Sequence, residues 1–315
     1  MTTPKPGLLV VGPYTPDEME VLARHFAVHR LWQAPDRDAF LAAVAPEIRA
    51  IGTRGELGAN GAMIGALPKL EIIACYGVGT DAIDLAAARA RGIAVTNTPD
   101  VLTEDVADMG WALLLATARR IPEGDLYARS GAWTKAPMAL TTRVWGKRLG
   151  IVGLGRIGRA VARRAEGFGM TVAYSARARY ADLSYAWHPD PASLAREVDF
   201  LIVCAAGGPA TRNLVGADVL KALGPAGILV NVSRGSVVDE PALLDALRNG
   251  TIAAAGLDVF WNEPAIDPAF AALQNVVLQP HNASGTVETR AAMGRLVREN
   301  LLAHFEGRPL PTPVA

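Results

Sequence analysis

Along the first hundred residues, short apolar runs alternate with segments whose apolar positions recur every three or four residues. Residues 8–11, 48–52, 70–75 and 93–96 read as buried strands, and residues 17–26 and 36–45 read as helices between them. This alternation predicts a parallel sheet covered by helices on both faces, in a first α/β domain that closes near Pro99. A long helical pattern starts near Thr103. Thr103 can cap it, Glu104 and Asp105 complement its positive end, and Val106, Met109, Leu113 and Leu114 recur at helical spacing. The segment is long enough to bridge two domains. From Lys147 a second series begins, with strand-like runs at 149–152, 171–174, 200–204, 228–232, 254–259 and 276–278. Six strands with helices between them predict a doubly wound dinucleotide-binding fold. From Thr286 onward the pattern is one amphipathic helix and a proline-rich tail.

Composition narrows the function classes. The 315 residues are 50% hydrophobic and 20% charged, enough apolar surface for two cores. Lysine plus arginine and aspartate plus glutamate number 31 each, so no global field favours nucleic acid or a membrane surface, and any anion site must be local. The two cysteines, Cys75 and Cys204, fall in strand-like runs; neither has the neighbours of a metal site, and no metal is expected. The N-terminus lacks the apolar core of a signal peptide, and the longest apolar stretch, 111–116, is too short to span a bilayer. A soluble, cytoplasmic protein is expected.

Two clusters carry chemistry. Gly153, Leu154, Gly155, Arg156, Ile157 and Gly158 form a GxGxxG loop after an apolar strand and before a helix. Gly153 permits the tight turn, Gly155 lets backbone approach a pyrophosphate, and Gly158 lets the helix pack on the strand; the helix start offers N–H groups to phosphate. Roughly twenty residues further on, an acidic residue would bind the adenosine ribose of NAD. This chain instead reads Tyr174, Ser175, Ala176, Arg177, Ala178, Arg179. A ribose phosphate brings about two negative charges, which an acid repels and arginines bind with forked hydrogen bonds. The expected cofactor is therefore NADP. The second cluster follows later strands: Arg234 after the run 228–232, Glu263 after 254–259, and His281 after 276–278. Reducing a 2-keto acid needs a cation for the carboxylate, a proton donor for the carbonyl oxygen and a hydride. Arg234 fits the first need and His281 the second, with Glu263 to orient the imidazole and favour its protonated form.

The chain resembles the D-isomer-specific 2-hydroxyacid dehydrogenase family over nearly its whole length. The resemblance rests on Cys75-Tyr-Gly-Val-Gly79 with Asp84, the run 98–108, Gly153 to Gly158, Val232-Ser-Arg-Gly235, Gly256-Leu-Asp-Val259, Glu263-Pro264 and Pro280-His281. It implies that Arg234, Glu263 and His281 are catalytic, and that backbone N–H groups of Val78 and Gly79 bind the substrate carboxylate. It also places Asp258 on the nicotinamide carboxamide and Val232 beside the nicotinamide ring. Within the family, residues 154–157, 176–179 and Gly131-Ala-Trp133 are most similar to NADPH-preferring hydroxyphenylpyruvate and glyoxylate/hydroxypyruvate reductases. Ser175 stands beside the position, Ala176, where those relatives often carry serine.

The fold implied is α/β, with two doubly wound parallel-sheet domains: a Rossmann coenzyme domain inserted in a flavodoxin-like substrate domain. Residues 1–99 would bind substrate, 100–284 would bind NADP, and 285–315 would return to the first domain. A homodimer joined through residues 103–133 is implied, as is closure of the two domains over NADPH and keto acid. Glyoxylate and hydroxypyruvate lead as substrates, phenylpyruvate-type acids follow, and Arg54, Leu57, Trp133 and Met138 are candidates for setting pocket size. The rivals are an NAD-linked phosphoglycerate, formate or phosphite dehydrogenase, disfavoured by the missing ribose-binding acid, and a corepressor-like nicotinamide sensor.

Overall fold

The computed structural model describes residues 4–314 and divides the chain into two compact units, residues 1–102 with 284–315, and residues 103–283. In the first unit, β1 (Gly7–Val10), β2 (Ala27–Arg30), β3 (Ile48–Arg54), β4 (Ile72–Tyr76) and β5 (Ala94–Thr96) form a parallel sheet in the order β2-β1-β3-β4-β5. β1 and β4 are buried along their whole length, as strands covered on both faces must be. The connecting helices are α1 (Pro16–His25), α2 (Arg37–Val44), α3 (Gly61–Ala66) and α4 (Leu85–Ala90). Asp36, Asn60 and Asp84 cap α2, α3 and α4 by accepting backbone N–H groups of their first turns.

The second unit opens with α5 (Thr103–Ala118) and α6 (Ile121–Arg129), separated at Arg120, whose φ of 51° breaks the helix. α5 packs on its own unit: Trp111 stacks on Phe168 at 4.4 Å, and Glu104 and Asp108 pair with Arg163 and Arg164. The sheet follows, with β6 (Arg148–Val152), β7 (Thr171–Ser175), β8 (Ala186–His188), β9 (Phe200–Val203), β10 (Ile228–Asn231), β11 (Ala254–Leu257) and β12 (Val276–Leu278). All pair in parallel in the order β12-β11-β10-β9-β6-β7-β8. The sheet has seven strands where the pattern of apolar runs predicts six. The extra one, β8, is a short, partly exposed edge strand, and so is β2 in the other sheet. Helices α7 (Arg156–Gly167), α8 (Pro191–Ala195), α9 (Ala217–Leu223) and α10 (Glu240–Arg248) cover it.

The strand order reverses between β6 and β9, the switch point at which open parallel sheets bind ligands beyond the C-terminal ends of their strands. The last helix, α11 (Val287–Phe305), belongs to the first unit. Thr286 caps it, Arg298 pairs with the buried Glu18, and Tyr76 donates to the carbonyl of Arg290 at 2.8 Å. Among the described residues no helix is long and apolar enough to cross a membrane.

Candidate active site

The GxGxxG loop joins β6 to α7 beside the switch point. Gly153 has φ +91°, and a Cβ there would lie 2.6 Å from Ala205 backbone, so only glycine makes this turn. A Cβ on Gly158 would lie 2.2 Å from the carbonyl oxygen of Gly153, which explains how closely α7 sits on the loop. Gly155, by contrast, faces open space and supplies the N-cap position of α7 without a side-chain cap. This is the cradle a pyrophosphate needs: backbone within reach, no side chain in the way, and a helix start behind it. Leu154 is buried beneath the loop. These residues fit a dinucleotide.

At the end of β7, Ser175 is buried while Arg177, Ala178 and Arg179 are exposed. Two aromatic anchors hold this segment. Trp187 Nε1 donates to the carbonyl of Ala176 at 3.1 Å, and the Tyr180 N–H donates to Tyr174 Oη at 2.8 Å. Arg159 on α7 adds a 2.7 Å ion pair to Asp182 and lies 4.7 Å from the Tyr180 ring centre. No carboxylate occupies residues 174–180. Two exposed arginines, Arg177 and Arg179, and no acid therefore follow the end of β7.

The three residues after the later strands come from β10, β11 and β12. Beyond β10, the buried Asn231 organises the turn: its Nδ2 donates to the Arg234 carbonyl at 3.0 Å, and its Oδ1 accepts from Ser233 N–H and Oγ at 3.1 Å each. Arg234 Nη1 donates to the Ser233 carbonyl at 2.8 Å. Val232 is buried in the same turn. Beyond β11, Glu263 Oε1 accepts the Phe260 N–H at 2.8 Å while Oε2 meets His281 Nδ1 at 2.5 Å. The His281 side chain is 29% exposed and that of Glu263 21%, so water reaches the pair only in part. Among the described residues, His281 Nε2 has no partner.

Burial is the largest influence on Glu263 and pushes its carboxyl up. The hydrogen bond from His281, the His281 charge, the Phe260 N–H and the Arg234 charge together outweigh it, and hold Glu263 below the usual carboxylate range. Glu263 thus stays ionised as the imidazole's partner.

His281 itself sits at φ +50°, a conformation uncommon for a residue with a Cβ. Asp258 explains how it is kept there. The His281 N–H donates to the Asp258 carbonyl at 2.8 Å, and the Asp258 carboxylate accepts the Asn282 and Ala283 N–H groups at 2.8 and 3.1 Å. The resemblance assigns Asp258 to the nicotinamide carboxamide; in the structure it is 1% exposed and fastens the turn that presents the imidazole. Its burial raises its pKa, only partly offset by the two N–H groups and the His281 charge.

Two supports were not apparent as site residues in the sequence. One is Asn231; the other is Glu240 at the start of α10, whose Oε2 accepts the Trp261 N–H at 2.9 Å and so holds the loop leading to Glu263. Burial and the nearby charges of Asp267 and Glu263 push the Glu240 carboxyl up, against the Trp261 N–H. Their partners are backbone groups, which no side-chain motif reveals.

In the first unit, Val78 and Gly79 lie in the turn that follows β4, half-buried. Leu57 and Trp133 are exposed and Met138 is half-buried. Burial pushes the Cys204 thiol up to about 12, which leaves no thiolate near neutrality. Among the described residues, no group of three or more histidine, cysteine, aspartate or glutamate side chains could hold a metal ion.

Comparison with known proteins agrees with this geometry. Residues 111–283 match the D-isomer-specific 2-hydroxyacid dehydrogenase, NAD binding domain family. A hydroxyphenylpyruvate reductase from Plectranthus scutellarioides is 46% identical over 308 residues, covering 98% of each chain. A 2-hydroxyacid dehydrogenase structure from Ketogulonicigenium vulgare Y25 superposes with a TM-score of 0.92 at 55% identity over 99% of both chains. A structure of the NADPH-dependent glyoxylate/hydroxypyruvate reductase of Sinorhizobium meliloti, in complex with NADP and malonate, gives a TM-score of 0.91 at 44% identity over 99% and 97%. A glycine loop at the switch point, a Glu263–His281 pair beyond the same sheet edge, and full-length likeness at this identity lead to one statement: the chain belongs to the D-isomer-specific 2-hydroxyacid dehydrogenase family.

Proposed function

We propose that this protein reduces a small 2-keto acid to the D-2-hydroxyacid with NADPH, glyoxylate and hydroxypyruvate being the leading substrates. The observation that carries the reading is the 2.5 Å contact of His281 Nδ1 with Glu263, which leaves Nε2 available to protonate a carbonyl oxygen. Arg234 and the N–H groups of Val78 and Gly79 hold the substrate carboxylate and orient the keto carbon. NADPH, when bound, supplies the hydride. The turn of Gly153, Leu154, Gly155, Arg156, Ile157 and Gly158 would hold its pyrophosphate, with the Gly153 N–H anchoring the turn on the Ser175 carbonyl at 2.8 Å; Val232 would line the nicotinamide ring, and Asp258, which braces His281, would serve the carboxamide. Ser175, Ala176, Arg177, Ala178 and Arg179 surround its ribose phosphate. His281 would give its Nε2 proton to the carbonyl oxygen of the keto acid as that oxygen becomes an alkoxide, and Glu263 would stabilise the imidazolium beforehand and orient the ring.

The reductase of Sinorhizobium meliloti, with its NADP and malonate, supports both the cofactor and a carboxylate-bearing substrate. Phenylpyruvate-type acids form the second reading, favoured by the likeness to a hydroxyphenylpyruvate reductase. A homodimer fits the exposed apolar residues Ile121, Leu126, Trp133, Leu140 and Trp145, all between α5 and β6; a one-chain mass in light scattering would sink that assignment. The function is tested by following NADPH oxidation with glyoxylate, hydroxypyruvate and phenylpyruvate, and repeating each with NADH. Turnover with NADPH well above NADH is expected. Faster turnover with NADH would overturn the cofactor assignment, and tight cofactor binding without turnover on any keto acid would overturn the reductase.

A further inference from the structure

The turn after β4 is held from behind at every carbonyl. Gly77 O accepts the Thr98 N–H at 2.9 Å, Val78 O accepts Asn97 Nδ2 at 2.8 Å, and Gly79 O accepts the Cys75 thiol at 3.5 Å. Across a planar trans peptide, the C=O of one residue and the N–H of the next point in opposite directions. Fixing the Gly77 carbonyl therefore aims the Val78 N–H the other way, and fixing the Val78 carbonyl aims the Gly79 N–H. Among the described residues, these two N–H groups donate to no backbone or side-chain oxygen. The side-chain amide of Asn97 thus sets the direction of one of the two donors.

Asn97 is held in turn by the C-terminal segment. Thr312 Oγ1 donates to the Asn97 carbonyl at 2.6 Å, and the Asn97 N–H donates to the Thr312 carbonyl at 3.3 Å. The same hydroxyl accepts Asn300 Nδ2 at 2.8 Å, and the Thr312 N–H donates to Asn300 Oδ1 at 3.1 Å. Asn300 is 0% exposed in α11, where its Nδ2 also donates to Leu296 O at 2.7 Å. Val314 continues the contact by donating to Val95 O at 2.8 Å, beside the antiparallel bridge of Thr96 with Pro313. An unbroken chain of hydrogen bonds runs from α11 through Thr312 and Asn97 to Val78.

We propose that Asn97 and Thr312 are positioning residues for substrate-carboxylate binding, fixing the N–H groups of Val78 and Gly79 through this chain. The proposal rests on the carboxylate role given above to those N–H groups. Neither side chain touches the substrate, so their effect is on its binding. Loss of binding shared equally by ground and transition states raises KM and leaves kcat.

The test compares glyoxylate with its methyl ester, which keeps the aldehyde but lacks the negative charge, in Thr312→Val, Thr312→Ser and Asn97→Ala. Thr312→Val removes the hydroxyl at nearly constant shape; losing one or two hydrogen bonds should raise the KM for glyoxylate about 3- to 10-fold. The kcat, the NADPH dissociation constant and kcat/KM for the ester should stay within about twofold, where a merely weakened fold would lower kcat and kcat/KM for both substrates and weaken NADPH binding. Thr312→Ser should restore the wild-type KM, and Asn97→Ala should move KM in the same direction as Thr312→Val. A Thr312→Val or Asn97→Ala enzyme with lower thermal stability but the wild-type ratio of acid to ester would overturn the proposal, leaving a tie for the C-terminal segment. Wild-type enzyme that fails to prefer the acid over the ester would instead overturn the carboxylate role of Val78 and Gly79, and this inference with it.

Discussion

Replacing Glu263 with Gln isolates what the carboxylate charge does for His281. The change is nearly isosteric, and the new Oε1 can still accept the Phe260 N–H that Glu263 accepts at 2.8 Å. What disappears is the charge at 2.5 Å from Nδ1. Hydrogen bonds to charged groups contribute about 1.5–3 kcal/mol, and each 1.4 kcal/mol is about tenfold. Because both side chains are partly exposed, at 29% and 21%, water screens the pair and favours the lower half of that range. The expected loss in kcat/KM at neutral pH is therefore about 10- to 40-fold, with NADPH affinity unchanged. Steady-state kinetics on the single variants and on Glu263→Gln/His281→Ala completes the cycle. If Glu263 acts through His281, the double variant is no slower than His281→Ala alone. A Glu263→Gln enzyme within twofold of wild type, or a double variant whose loss is the product of the two single losses, would refute the reasoning.

Replacing both Arg177 and Arg179 with Ala should raise the KM for NADPH about tenfold or more through lost phosphate contacts and leave NADH kinetics unchanged; equal losses with both cofactors would show that the arginines do not read the phosphate. Asp258→Asn faces one of the Asn282 and Ala283 N–H groups with an amide N–H₂, at a cost of about 1–3 kcal/mol for the unpaired donor, so thermal unfolding should fall by several degrees and kcat with it; an unchanged melting temperature would contradict the clamp. Glu263, held below its ordinary pKa, contributes stability above the unfolded value of about 4.3 that is lost as pH falls through its lower folded value. The stability gap between wild type and Glu263→Gln should thus persist at pH 5 and 6 and close only in stronger acid, as denaturant unfolding at several pH values would record; a gap already closed at pH 6 would reverse the sign of the shift.

How much of this was readable follows from what each residue contacts. β1 and β9 are apolar throughout and buried throughout, and β10 is so up to the buried Asn231 at its end, so composition alone marks them. β2, with the sequence AVHR, and β8, with AWH, are edge strands whose pairing on one side comes from backbone groups, and they carry no apolar run to read. The pattern beginning at Thr103 reads as one long helix because nothing in the identity of Arg120 announces a left-handed turn. Arg234, Glu263 and His281 were legible because each follows a strand at the ligand-binding edge of one sheet, where charged side chains have few structural uses. Asn231, Glu240 and the clamp of Asp258 on its neighbours 24 and 25 residues away were not, since their partners are main-chain N–H and C=O groups, in a local turn for Asn231 and brought together only by folding for the other two. The same holds for the chain from Asn300 to Val78, which links the Thr312 side chain to the main-chain carbonyl of Asn97, more than two hundred positions away.

The central claim is that His281 is the proton donor of an NADPH-dependent keto-acid reductase. Its most direct test is turnover of glyoxylate and hydroxypyruvate by His281→Ala, with NADPH affinity measured on the same preparation by cofactor fluorescence. The account predicts a fall in kcat of at least about 100-fold, as general acid catalysis contributes about 10²–10⁴, and an NADPH dissociation constant within about twofold of wild type. Turnover at the wild-type rate by a variant that binds NADPH normally would contradict it.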